Sequence, residues 1–257
     1  MKTTAIMNLK GGTAKTVTAI NLAAILAKDY GQRVLLIDAD SQANLTEFVT
    51  AGAAINLASA QAHGLAALLL GLIPAVVTSA IRGVDLIAAS DELMELDVST
   101  VKSGMANPLK LVEFLQTVSA DYDRCIIDCP PAFSASATAA LIAADEVIIP
   151  MKLDAFWIRG MTNLLAQVSN MKRVNPALTV AGILPTMFYR TEQMVEAEQQ
   201  LVNSGLPVFS HIRRSAPIDN MTFAQKPIIR SSPRSAAAHD YRRFVAELLE
   251  GGVRDGV

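Results

Sequence analysis

The chain has 257 residues, 51% of them hydrophobic, and carries 22 Lys and Arg against 24 Asp and Glu for a net charge of −2. That content is ample for the two-sided core of one α/β domain, and the near-neutral charge excludes a global attraction to nucleic acid, so any such binding must come from a local patch. Taken in chain order, strands are expected near Thr3 to Asn8, Arg33 to Asp38, Val84 to Ala88, Arg124 to Asp128, Glu146 to Pro150 and Val180 to Leu184. Helices are expected near Lys15 to Lys28, Asp91 to Ser103, Leu109 to Val118, Ala135 to Ala143, Ile158 to Arg173, Glu192 to Asn203 and Ala236 to Leu249. The alternation predicts a doubly wound, mostly parallel sheet with helices on both faces, in one domain spanning 1–250, with 251–257 as a flexible tail.

Met1-Lys2 leads straight into the first strand, and no targeting signal is expected. Phe48 to Ile81 contains no Asp, Glu, Lys or Arg, but a membrane span needs about 20 predominantly apolar residues. Asn56, Ser59, Gln61, His63, Gly64, Gly71 and Pro74 interrupt this one. Two short helices joined around Gly71 to Pro74 are expected instead, with His63 near an N-terminus and in a structural role, and the second beginning over Val76 to Ile81.

The segment that dictates chemistry is Lys10-Gly11-Gly12-Thr13-Ala14-Lys15-Thr16, between the first strand and the helix that opens towards Val17. A Gly-rich turn between strand and helix aims backbone N–H groups and the positive helix end at one point, which suits polyphosphate. Lys15 would lie against the β- and γ-phosphates and the Thr16 hydroxyl would ligate Mg²⁺; the alternative is a strand-to-helix turn without ligand. The strict P-loop pattern is not met, because Ala14 stands where Gly precedes the Lys. If Ala14 adopts a positive φ, the strain is roughly 1–2 kcal/mol. Lys10 is surplus to a one-chain cradle and suggests contact with a second nucleotide.

Two more strands end in carboxylates. Arg33 to Ile37 runs into Asp38-Ala39-Asp40, and Cys125-Ile126-Ile127 runs into Asp128 before Pro130 and Pro131 forbid continuation. Ligands of open α/β sheets bind at such C-terminal strand ends. Asp38 and Asp40 could instead cap a following helix, Asp38 more readily than Asp40.

These motifs are together similar to the ParA/MinD family of deviant Walker ATPases, and within it to small ParA partitioning proteins. KGGTAKT resembles the deviant Walker A, LLIDADSQAN the Walker A′, and IIDCPPAF with AADEVIIPM the Walker B region. The likeness continues loosely to the closing helix. It implies a P-loop NTPase fold, ATP and Mg²⁺ as cofactors, and slow hydrolysis. Residues Lys10, Gly11, Gly12, Thr13, Ala14, Lys15, Thr16 and Val17 would cradle phosphate, with Lys10 reaching the partner's ATP in a homodimer. Asp40 would orient the attacking water, so Lys10, Lys15 and Asp40 form the implied catalytic set. Thr16, Asp128 and, in the outer shell, Asp38 would serve the metal.

The resemblance also implies nonspecific binding of double-stranded DNA by the ATP dimer, stimulation by a ParB-like centromere-binding protein, and a cytoplasmic, nucleoid-associated location. Between Gly205 and Arg243 the cations Arg213, Arg214, Lys226, Arg230, Arg234, Arg242 and Arg243 face only Asp219 and Asp240. On residues alone a solvated helix face explains them; the resemblance favours DNA, with Arg190, Arg213, Arg214, Lys226 and Arg230 as candidates. The stretch around Ile212 and Arg213 could equally contact adenine through its backbone. Starting at the first strand, the chain is expected to lack the operator-binding domain of larger relatives. Two rivals share the cradle. A MinD-type membrane ATPase needs a basic amphipathic C-terminal helix, and the acidic end of Tyr241 to Glu250 argues against stable membrane association; a metabolic ligase gives Lys10 no task. Cys125 and Cys129 are expected as buried small hydrophobes.

Overall fold

The computed structural model describes residues 1–96 and 106–251. In chain order the elements are β1 (Lys2–Ile6), α1 (Lys15–Asp29), β2 (Val34–Asp38), α2 (Asn44–Thr50), α3 (Leu57–Ala62), α4 (Leu65–Leu69), β3 (Val77–Thr78), β4 (Val84–Ile87), α5 (Leu109–Thr117), β5 (Arg124–Asp128), α6 (Ala135–Ala143), β6 (Glu146–Lys152), α7 (Trp157–Met171), β7 (Thr179–Thr186), α8 (Glu192–Val202), α9 (Ala216–Ala224), α10 (Ile228–Ser231) and α11 (Ala236–Glu250). Residues 92–96 are helical as well; the rest of the helix expected to Ser103, and the tail after Gly251, lie outside the described residues.

Seven strands form one sheet in the order β3-β4-β2-β5-β1-β6-β7. Every neighbouring pair is parallel except β3 with β4. Strand alternation divides the core in two. Ala5, Leu35, Ile37, Cys125, Ile127, Val147 and Ile149 face α4 to α7, while Ile6, Val34, Leu36, Ile126 and Ile148 face α1, α2, α10 and α11. Both faces are therefore covered, which is why these strands read as unbroken apolar runs. Cys125 and Cys129 are free, fully buried and on the same face; burial pushes both thiols well up.

The helix starts follow local chemistry. Ser134, Thr191 and Ser235 accept the N–H of the residue three further on, at 3.0, 3.3 and 3.2 Å, and so start α6, α8 and α11. Within α1, Asn21 is fully buried; its amide donates to the Val17 carbonyl at 2.8 Å and its oxygen accepts the Ile228 N–H at 2.9 Å, which fixes α10 against α1.

The region after Thr50 departs from expectation. The two short helices are α3 and α4, joined at His63-Gly64 rather than at Gly71 to Pro74. His63 closes α3, its Nδ1 3.0 Å from the Ser59 carbonyl. The expected second helix over Val76 to Ile81 is strand β3, antiparallel to β4. Val76, Val77 and Thr78 are β-branched, and β4 offers an open edge, so pairing there outweighs a helix. Gly64 permits the tight junction: a Cβ at this position would lie 2.1 Å from the Ala88 carbonyl oxygen.

Candidate nucleotide site

β1, β2 and β5 end side by side, with Ile6 opposite Asp128 and Asp38 opposite Asp128 in register. Their C-terminal ends place the loop 8–14, Asp38-Ala39-Asp40 and Asp128 around one mouth. The loop is anchored at its start, where the Asn8 amide donates to the Pro150 carbonyl at 2.7 Å and its oxygen accepts the Lys10 N–H at 3.0 Å. Gly12 has φ 70° and Ala14 has φ 67°, so the positive φ expected for Ala14 is present and α1 begins from a left-handed residue. Nothing lies within 4 Å of a Cβ built on Gly11 or Gly12, which leaves the cradle open for a ligand to approach the backbone.

Lys15 is 7% exposed and its ammonium donates to the Lys10 carbonyl at 3.4 Å. Burial lowers its pKa, against the pull of Asp128 and Asp40. Asp128 is 1% exposed and its Oδ1 has no protein partner. Burial, and next the neighbouring Asp38, push its carboxyl well above the usual range, against the Thr16 hydroxyl and Lys15. A desolvated ammonium and a desolvated carboxylate with an orphaned oxygen thus face one opening. Each is satisfied by what the other lacks: an anion for Lys15, and a cation or its bound water for Asp128.

Asp38 stands beside Asp128 in register and is held by protein donors. Its Oδ2 accepts the Thr46 N–H and hydroxyl, both at 2.8 Å, and its Oδ1 accepts the Asp40 N–H at 3.2 Å. It caps the first turn of α2, the alternative open to it from sequence, and both oxygens are occupied by protein donors. Asp40 is half-buried and its Oδ1 accepts the Gln42 N–H at 3.1 Å, which leaves Oδ2 without a protein partner among the described residues.

Lys10 lies at the rim. Its ammonium pairs with Asp154, in the turn after β6, and its side chain stays 46% exposed. Asp154 was not visible in the sequence, being 144 residues away. Exposed Phe133, Phe156 and Ile158 follow β5 and β6 at the same edge.

A cavity of about 520 Å³ adjoins the cradle, lined by Gly12, Ala14, Val17, Thr186, Ile212 and Arg213 among others. The segment after α8 builds it by running beside β7: the Ile212 N–H donates to the Pro185 carbonyl at 2.8 Å and the Phe188 N–H to the Ile212 carbonyl at 3.0 Å. Gly182 makes this possible, because a Cβ there would fall 2.5 Å from the Phe209 ring. The buried Thr186 hydroxyl donates to the Thr13 carbonyl at 3.1 Å and links the cavity wall to the phosphate loop. Met187 has φ 54° and Ala43 φ 53°, so three of the four non-glycine residues with positive φ among those described, with Ala14, border this site. Ile212 and Arg213 thus come together with Gly12, Ala14 and Val17.

The cations proposed for DNA divide into separate groups. Arg190, Arg213 and Arg214 share a concavity of about 510 Å³ with His211, which stacks on Phe188 at 3.9 Å between centroids and lies 2.6 Å from Glu198. Arg213 is committed elsewhere: Nε and Nη2 donate to Asp240 at 2.7 and 3.0 Å, and its N–H donates there at 3.1 Å. Arg190 and Arg214 carry no side-chain partner among the described residues. Arg230 lies apart, near the C-terminal end of α1, and shares a second cleft with Lys226, Phe48 and Ile81. The single patch suggested by charge order along the chain is two patches in space.

A family described as an AAA domain matches residues 1–180. The chromosome-partitioning ATPase Soj of Thermus thermophilus is 34% identical over 249 residues, covering 95% of this chain and 94% of that protein. Among solved structures, apo McdA of Cyanthece superposes with a TM-score of 0.82 at 25% identity, covering 97% of this chain and 99% of that one. Cobyrinic acid a,c-diamide synthase of Mycobacterium smegmatis, with bound ATP analog and magnesium, superposes with a TM-score of 0.80 at 28% identity over 97% of this chain and 94% of that one. The open glycine cradle, the buried Lys15 and the orphaned Asp128 oxygen fit ATP and Mg²⁺. Lys15 and the loop N–H groups would hold the phosphates, while Thr16 and Asp128 would hold the metal, which neutralises charge on the transferring phosphoryl group. The chain is an ATPase, and it belongs to the ParA/MinD family, alongside its partitioning members.

Proposed function

We propose that this ATPase is a DNA-segregation switch: ATP joins two copies, the pair binds double-stranded DNA without regard to sequence, and hydrolysis releases it. The observation that carries this reading is Lys10. Lys15 already occupies the chain's own cradle, whereas Lys10 sits half-exposed at the rim on Asp154, beside exposed Phe133, Phe156 and Ile158. A second cation and an apolar rim at an open phosphate mouth suit a second copy whose nucleotide Lys10 would reach. Asp40, with one carboxylate oxygen unclaimed by protein, would orient the attacking water, and Lys10 and Lys15 would supply charge.

Arg190 and Arg214 are the exposed, unpaired cations best placed to meet phosphates, with Lys226 and Arg230 on a second face. The relatives' chromosome-partitioning names support DNA as a partner; a ParB-like centromere-binding stimulator and action in the cytoplasm on the nucleoid complete the reading. A MinD-like membrane role is less well supported, because the apolar face of α11 (Tyr241, Phe244, Val245, Leu248) is buried in the core. No described helix is long and apolar enough to cross a membrane.

Retention on DNA-cellulose, run beside liposome flotation with ATP, ADP or neither, tests the reading. Retention that requires ATP, ignores sequence and falls when Arg190 and Arg214 are both changed to Ala supports it, with the salt slope flattened by about one unit for each phosphate no longer neutralised. Flotation with liposomes and no retention on DNA would replace it with the membrane role. Turnover that requires a small carboxylic acid and amine would replace it with a ligase.

A further inference from the structure

The end of the sheet opposite the nucleotide mouth holds a cavity, lined in part by the Arg230 named above for DNA. The last turns of α1, the turn 31–33 into β2, the turn 81–83 into β4 and the start of α10 enclose about 490 Å³. We propose that this cavity is a second anion site, one that takes a phosphorylated small molecule of about mononucleotide size.

Charge carries the first part of the argument. Lys28, Arg33, Arg82 and Arg230 line the cavity and no carboxylate does, in a chain whose net charge is −2. These four cations come from four separate elements, so helix amphipathicity does not account for their convergence. Arg33 is compensated by Asp123, with Nη2 to Oδ1 at 3.1 Å and Nε to Oδ2 at 3.3 Å, and Lys28 donates only to the Ile229 carbonyl at 3.4 Å. The nearby Asp29 is taken by Arg242 at 2.8 Å. Arg82 and Arg230 have no side-chain hydrogen bond or ion pair among the described residues. Lys28, Arg82 and Arg230, brought to one concavity without a carboxylate partner, repel each other, and an anion relieves that repulsion.

An orphaned acceptor carries the second part. Oε1 of Gln32, which also lines the cavity, is buried and has no protein donor. A buried acceptor left unpaired is unfavourable, and a ligand hydroxyl or amine would satisfy it once the Gln32 amide turned its oxygen to the cavity. Phosphate for the arginines and a donor for Gln32 together describe a sugar phosphate or nucleotide rather than a bare ion. The volume lies within the range of roughly 300–1,000 Å³ typical of small-molecule pockets. Duplex DNA fits less well, since its phosphates stand on a convex backbone while these cations converge into a hollow.

The test is calorimetric titration of the Lys15→Ala chain, in which the phosphate cradle is disabled, with inorganic pyrophosphate, 5′-AMP and a short duplex as separate probes. The expected result is that both small probes bind, and that Arg82→Gln with Arg230→Gln weakens each by about tenfold, as removal of two charge-assisted hydrogen bonds implies. Gln32→Ala should weaken AMP but leave pyrophosphate unchanged. Both arginines are exposed, so a melting curve like that of the parent is expected for the double variant. Failure of both small probes to bind overturns the proposal. So does binding that the double substitution leaves intact, or a loss confined to the duplex, which would make this face a DNA contact. Because the readout is the response to Arg82 and Arg230, which lie outside the cradle, its failure is distinguishable from failure of the DNA-switch reading.

Discussion

Changing Arg213 to Ala separates a structural cation from a DNA-binding one. Asp240 is 2% exposed and accepts three hydrogen bonds from Arg213, two of them from the guanidinium at 2.7 and 3.0 Å, while Arg243 stands 3.5 Å away. Stripping a partner from a fully buried ion pair costs about 3–5 kcal/mol. Here the Arg213 side chain is 48% exposed, and Arg243 and the backbone N–H remain, so solvent and residual partners reduce the loss to about 1–2 kcal/mol. For a chain of this size that is a fall in melting temperature of roughly 2–8 °C. Arg214→Ala, on an exposed residue without a partner, should stay within about 0.5 kcal/mol of the parent. Thermal unfolding by circular dichroism reads both, and DNA retention of the folded protein is measured alongside. The double variant Arg213→Ala, Asp240→Ala should cost less than the two single changes added, since each relieves the charge left by the other. If Arg213→Ala melts like the parent yet loses DNA retention, the pairing with Asp240 is incidental and the guanidinium belongs to the DNA surface.

Three further outcomes are expected. Ala14→Gly removes the left-handed strain at φ 67° and should stabilise the protein by roughly 1 kcal/mol while preserving ATP binding; a loss of stability in denaturant titration would mean that the surrounding loop favours the methyl group. Asp154→Ala frees Lys10 from a half-exposed ion pair worth about 0.2–1 kcal/mol, so ATP-dependent self-association should tighten by up to about fivefold, and an unchanged association curve would separate Lys10 from the interface. In the nucleotide-free protein, burial pushes the Asp38 carboxyl from 3.8 up to about 7. The folded state therefore holds this proton more tightly than the unfolded one. Its contribution to stability is complete below the unfolded value and is lost as pH rises through about 7. Asp38→Asn should flatten that fall in melting temperature, and an identical pH profile in the variant would contradict the assignment.

Much of the site was legible because its determinants are local. The turn Gly11 to Ala14, the carboxylates Asp38 and Asp128 and the Pro130-Pro131 stop are properties of a few consecutive residues, and unbroken apolar strands announce a sheet covered on both sides. Asp38 shows where local reading stops: the same carboxylate suits the outer shell of a metal or a helix cap, and only the position of Thr46 reveals the cap. Asp154 and Asp240 are joined to Lys10 and Arg213 across long stretches of chain, so no spacing rule exposes them. Strand β3 was missed because two residues carry little pattern and depend on the edge of β4. Helices α2, α9 and α10 were missed for a related reason, being held by Asp38 and Asn21 rather than by a periodicity of their own. The basic patch read from charge order divided because α10 and the turn before it carry Arg230 and Lys226 to another face.

Sedimentation velocity of the Asp40→Ala protein with saturating Mg²⁺ and ATP tests the shared-nucleotide dimer most directly, because on this reading nucleotide binding would be kept while turnover is slowed. The expected boundary is that of a dimer with ATP and of a monomer with ADP, and Lys10→Ala in the same background should return it to the monomer. A monomer boundary under saturating ATP, or a dimer that forms equally well without Lys10, would contradict the account.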